Sequence, residues 1–371
     1  MLRRVQLAAI YVFLSTSTFF WSCSSSSGDN FGTDPTQDNN SVWNINKNEI
    51  ISGGVPKDGI PSLFNPKTIQ ADQASFLGDE NLIVGIVVNG EPRAYPYTIA
   101  DWHEVINEDF PGTLLTVSYC PLTGSSLVVN GNVASRNLKF GVSGLLYRNN
   151  LIMFDRQTDS HWPQMRLQCD EGELINTRQK LYPAIETSWG TWKKLYPNTV
   201  VLSTDTGFNR PYDVPGSAYP GYTNLNSSPG FRIPNLDRRL PPKQRVHGIL
   251  VGPGPDDYES KAYPIRPNDE TEIINNVIDG TPVVVVSDGK DNFIISFLRT
   301  IDNMTLSFKL SGNPDTFPFT FTDNETNSTW NVLGEAIDGP LAGKKLDRTL
   351  SFNAYWFAWA AFYPGAAIHG Q

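Results

Sequence analysis

The chain has 371 residues, 39% hydrophobic and 12% aromatic, which suits one large or two medium globular cores and argues against general disorder. Its 38 acidic against 29 basic residues give a formal net charge of −9, and this excess argues against nucleic acid as a partner. Glycine (30) and proline (27) are frequent, so turns should be many and helices short.

Residues 1–22 read as a signal peptide. Arg3 and Arg4 form a charged start, and Val5 to Trp21 is mostly apolar but Ser/Thr-interrupted and short for a membrane span. Cys23 follows, in the manner of a bacterial lipoprotein signal, so Cys23 is the expected lipidation site and the mature chain a cell-envelope protein held to the membrane by lipid. A plain secretory signal is the alternative. Residues 23–48, rich in Ser, Asn, Asp and Gly, read as a flexible tether.

From Ile50 the pattern becomes globular. Leu82 to Val88 is a buried-strand run, Asn89-Gly90 a tight turn, and Pro92 to Tyr97 the returning strand. Thr98 to Asn107 is expected to be helical, with Ile99, Trp102, Val105 and Ile106 on one face and His103 at its edge. Leu114 to Tyr119 and Ser125 to Val129 are strands around the Cys120-Pro121-Leu122-Thr123-Gly124 break. Leu138 to Phe154 reads as two strands turning at Arg148-Asn149-Asn150, and a helix near Ser188 to Leu195 precedes the strand Thr199 to Ser203.

An internal repeat organises the whole. Arg93-Ala94-Tyr95-Pro96 returns as Lys261-Ala262-Tyr263-Pro264, and Phe140-Gly141-Val142-Ser143-Gly144 as Phe308-Lys309-Leu310-Ser311-Gly312. Asp155 to Trp162 returns as Asp323 to Trp330, all at an offset of 168, while Trp189, Trp192, Tyr196 and Pro197 match Trp356, Trp359, Tyr363 and Pro364 at 167. The expected fold is therefore α+β and β-rich: two tandem copies of one unit of mixed antiparallel sheet and short helices. The first copy spans 49–205, the second 242–371, and 206–241 connects them, long enough to serve as an ordered loop over a cleft. Residues shared by both copies, including the late tryptophans, read as core; those confined to the first are candidates for chemistry. At the common offset His103 becomes Thr271, Cys120 Asp288, Arg156 Asn324 and His161 Thr329. His247 and His369 stand alone and read as surface residues.

Taken together, Asn89-Gly90 with Ala94-Tyr95-Pro96, Trp102-His103-Glu104, Tyr119 to Gly124, Gly141 to Tyr147, Asp155 to Ser160 and Trp356 to Ala360 resemble a bacterial and archaeal family, DUF3179, whose function is unknown. The likeness runs from about Ile50 to Tyr363 and implies a fold and a site location. The family pattern usually reads Cys-Pro-Leu-Cys-Gly, and Thr123 stands here at the second cysteine. Three functional readings follow. In the first, Cys120 is a nucleophilic or redox thiol with His103 as its base, oriented by Glu104 or Asp101, and with Arg156 holding an anionic group. In the second, Cys120 and His103, with His161 or Met153, bind copper or zinc. In the third, a surface-anchored module binds a small ligand in a cleft between the copies without turnover. Against all three, His103 could be a satisfied helix residue and Cys120 a small apolar one, or the disulfide partner of Cys169.

Overall fold

The computed structural model describes residues 41–371, and Cys23 and the expected signal peptide lie outside them. The chain is β-rich, with several sheets and three α-helices among the described residues. In the first half, Leu82–Val88 and Glu91–Pro96 form the expected hairpin, and both turn residues, Asn89 (φ 52°) and Gly90 (φ 84°), adopt the positive φ that a tight hairpin turn requires. Ala184–Ser188 pairs with the outer side of this hairpin, Val200–Leu202 runs parallel to Glu91–Pro96, and Thr68–Gln70 closes a five-stranded sheet. Helix α2, Trp189–Leu195, is capped by the Ser188 hydroxyl, which accepts from the Thr191 amide. Its Trp192 lies flat on Gly85, where a Cβ would stand 2.4 Å from the indole; only glycine permits that approach.

Helix α1, Tyr97–His103, is shorter than its apolar spacing suggested. Glu104 takes φ 54°, ψ −33°, and the chain leaves the helix as the strand Val105–Phe110, antiparallel to Thr113–Cys120. Two causes act together. Val105 and Ile106 are β-branched, and Asn107, expected to be the last helical residue, clamps both backbone groups of Phe140, accepting from its N–H at 2.8 Å and donating to its C=O at 2.9 Å. Thr113–Cys120 pairs in turn with Ser125–Asn130, so Cys120 faces Ser125 across the Pro121–Gly124 turn. Phe140–Tyr147 and Asn150–Asp155 are the two strands expected around Arg148-Asn149.

In the second half, Leu350–Tyr355, Arg245–Val251 and Glu259–Pro264 form an antiparallel sheet, with Ala367–Ile368 added parallel. Helix α3, Trp356–Phe362, lays Trp359 on Gly248. Glu272–Ile278, Thr281–Asp288 and Phe293–Leu298 form a three-stranded sheet, and Phe308–Leu310 opens a four-stranded one. The cores are not confined to one half. One holds Leu127, Ile152 and Met165 together with Val246, Phe352 and Trp356; another holds Ile83, Trp189 and Trp192 with Val284, Phe297 and Trp330. Residues 40–371 accordingly form one compact unit. His247, expected at the surface, is buried in the seam, its Nδ1 2.8 Å from Asn353 Oδ1 and its Nε2 2.8 Å from Ser296 Oγ. A strand that reads as any other from its sequence is central here because the other half covers it.

Candidate functional site

Of the residues expected around Cys120, Glu104 lies close enough to act on its charge, whereas His103, Arg156 and His161 are each engaged by other partners. His103 is fully buried, with Nδ1 2.7 Å from the Pro61 carbonyl and Nε2 2.6 Å from the Tyr212 hydroxyl. Nδ1–H therefore donates to the carbonyl and Nε2 accepts from Tyr212, which itself stands 2.7 Å from Thr206 Oγ1. Burial lowers the pKa of His103. A neutral ring with both nitrogens engaged fastens the connecting segment to α1 and leaves no nitrogen for a thiol. Arg156 forks onto Asp58 and stacks against Phe64 and Phe154, with its guanidinium carbon 5.2 and 5.1 Å from the ring centres. His161 places Nδ1 2.7 Å from the Glu171 carboxylate, its ring against Trp43. Met153 is core.

Cys120 shares an apolar cluster with Met153, Trp162 and Cys169, and its sulfur lies 3.7 Å from the Asn149 carbonyl. Burial, reinforced by the nearby Glu104, pushes its thiol up to about 11, so the reactive thiolate is suppressed at neutral pH. Cys169 is likewise free, buried and pushed up to about 12 by burial; no Cys120–Cys169 disulfide forms. Among the described residues no group of three or more His, Cys, Asp or Glu side chains is arranged to hold a metal ion, so the copper or zinc set of Cys120, His103 and His161 is not assembled.

What the fold does assemble beside Cys120 is a cavity of about 510 Å³, walled by α1, the Pro121–Gly124 turn, the connecting segment around Tyr219 and Tyr222, and Lys243, Arg245 and Tyr355 of the second half. The halves meet here closely: a Cβ on Gly124 (φ 57°) would stand 2.7 Å from the Tyr355 ring. Lys243 is 2% exposed, and its ammonium nitrogen has no hydrogen-bond partner among the described residues. Three rings surround it, with centres at 3.0 Å (Tyr222), 4.9 Å (Phe357) and 5.0 Å (Tyr355). Burial lowers its pKa to about 7, because an amine stripped of water favours its neutral form. Beside it, Arg245 is neutralised by Glu186, which also accepts from Ser126 at 2.7 Å.

Helix α1 supplies the acids. Asp101 and Glu104 stand one turn apart, and burial raises them to about 7 and about 8, Glu104 further through the Asp101 charge. Tyr219 donates to Glu104 Oε1 at 3.3 Å. Glu104 also holds the positive-φ backbone that ends α1, a conformation costly for a residue with a Cβ and characteristic of sites where geometry outweighs stability. The cavity wall thus carries an amine, Lys243, and a carboxyl, Asp101, both shifted toward their uncharged forms, with Glu104 one helical turn from Asp101, which suits proton transfer or amine attack on a polarised carbonyl.

Lys243 and Arg245 escaped the reading of the sequence: Lys243 lies in the turn just before the strand that Arg245 opens, Arg245–Val251, and no motif marks either residue. The comparison of the copies directed attention to residues peculiar to the first, whereas this wall comes from the second and from the connecting segment.

Residues 57–366 match the family described as "Protein of unknown function (DUF3179)". No curated protein and no solved structure matches the chain. The match takes in both halves, the connecting segment and every residue named around the cavity, and so the chain belongs to the DUF3179 family.

Proposed function

We propose that the cavity around Lys243 is the protein's small-molecule site and that its working group is the amine rather than the Cys120 thiol. The observation that carries this reading is the buried Lys243 nitrogen, left without a hydrogen-bond partner among the described residues on the wall of a cavity that also holds Asp101. Aromatic faces alone replace little of the water lost by a buried ammonium, and a lysine without a hydrogen-bond acceptor there suits a site that uses its neutral form. The chemistry is attack of the Lys243 nitrogen on the carbonyl carbon of a small aldehyde or keto compound. Loss of water gives the imine, with Asp101 as the acid that protonates the departing hydroxyl.

Glyoxylate with cyanoborohydride, followed by peptide mapping, tests it. At pH 7 an exposed lysine is neutral in only about one molecule in three thousand, against about half for Lys243, so Lys243 should be labelled at least about tenfold faster even through a narrow entrance. Labelling of Lys243 no faster than the exposed lysines would refute the reading.

The protein is also proposed to be a cell-envelope lipoprotein anchored through Cys23. The support is the sequence of residues 1–30, and no helix among the described residues is long and apolar enough to cross a membrane. Intact mass of protein made in a bacterial host decides it: without an added acyl mass on a chain beginning at Cys23, the proposal fails.

The two halves are proposed to be copies of one unit. In support, each has a hairpin with a third strand antiparallel on its outer side and a last strand parallel on the other. Asn107 clamps Phe140 as Asn275 clamps Phe308, and the Trp162 indole donates to Asp155 as Trp330 does to Asp323. Helix α1 has no counterpart in the second half, where Glu259–Pro264 leads without a helix into Glu272–Ile278.

A further inference from the structure

Glu186 lines a second cavity, of about 490 Å³, while its ion-pair partner Arg245 lines the first, so the pair has one member on each. The second cavity also lies in the seam: Gln179, Lys180 and Tyr182 come from the first half, Arg348, Thr349 and Asn353 from the second. Its polar groups are unfinished. Gln179 is 8% exposed, and neither the nitrogen nor the oxygen of its side-chain amide has a partner among the described residues. Arg348 donates from Nη2 to the Ala184 carbonyl at 3.0 Å, but its buried Nε–H has no acceptor, and its guanidinium makes no ion pair among the described residues.

The charge balance of the cavity is positive. The Glu186 oxygens are engaged by Arg245 and Ser126, and neither Arg348 nor the exposed Lys180 forms an ion pair among the described residues. His247, on the same wall, has both nitrogens engaged and is held neutral by burial. Buried amide and guanidinium groups in folded chains are almost always paired. Three unpaired atoms on side chains that line this cavity therefore describe the complement of a ligand: an oxyanion to accept from the Arg348 Nε–H and the Gln179 amide N–H, and a donor to meet the Gln179 oxygen.

We propose that this second cavity binds a small organic acid bearing a hydroxyl or amino group, with the carboxylate on Arg348 and the hydroxyl or amine on Gln179. The proposal is independent of the amine chemistry at Lys243. A guanidinium edge matches a planar carboxylate, and the cavity has the volume of a small-metabolite site.

Calorimetric titration of the whole chain with L-malate, with L-serine and with inorganic phosphate tests it. Malate or serine should bind at millimolar concentration or below, and Gln179→Leu and Arg348→Gln should each weaken that binding at least about tenfold. Lys243→Met should leave it unchanged, which separates this site from the other. Gln179→Leu also removes two unsatisfied polar atoms at nearly constant volume, so the unliganded variant should melt at or above the wild-type temperature. No binding of either acid, binding of phosphate alone, binding that survives Gln179→Leu, or a lower melting temperature for unliganded Gln179→Leu would each overturn the proposal.

Discussion

Replacing Lys243 with methionine keeps the length and apolar stem of the side chain and deletes only the buried nitrogen. The structure fixes the sign and size of the effect on stability. In the unfolded chain the amine holds its proton up to about pH 10.5; in the native cavity it has lost it by about pH 8, since burial lowers its pKa to about 7. Between these limits the unfolded state binds one more proton than the native state, so Lys243 makes native stability rise with pH by about 1.4 kcal/mol per pH unit. From about pH 8 to about pH 9.5 this amounts to about 2 kcal/mol. The buried Cys120 and Cys169, whose raised pKa values act in the opposite direction over this range, are common to both proteins and cancel in the difference. Guanidinium unfolding of wild type and Lys243→Met at the two pH values therefore gives a difference, wild type minus variant, that increases by about 2 kcal/mol with pH. The variant should be the more stable protein at pH 7 and below, where the wild type carries an unpaired buried charge. A difference that stays constant within about 0.5 kcal/mol would mean that the amine titrates as it does in water, and the argument for a neutral amine would fall.

Two further outcomes follow. Cys120 in the native protein should resist iodoacetamide at pH 7.5, with well under about one thiol in a thousand ionised, and react only on unfolding; alkylation at the rate of a free cysteine would restore the thiolate reading. Gly85→Ala and Gly248→Ala should each destabilise by about 1–3 kcal/mol or more, because the new methyl would meet Trp192 at 2.4 Å and Trp359 at 2.0 Å. A neutral result at either position would contradict the shared packing of helix on sheet and weaken the proposed duplication.

The sequence by itself determined what is local or repeated. The Asn89-Gly90 hairpin was legible because two adjacent positive-φ residues admit few other turns. The strands on either side of Cys120 and of Arg148-Asn149 followed from apolar runs broken by turn residues, and Trp189, Trp192, Trp356 and Trp359 were legible as core from recurrence alone. Tertiary structure decided whatever depends on partners distant along the chain. Helix α1 stops at His103 because Asn107 is drawn to the backbone of Phe140, 33 residues on. His103 and Arg156 find Tyr212 and Asp58, not Cys120, because proximity in sequence around a hairpin does not fix which face a side chain takes. Lys243 is the clearest case. Its residue type is ordinary, and its character comes from desolvation by Tyr222, Tyr355 and Phe357, which only the closure of the connecting segment and the second half around it can supply.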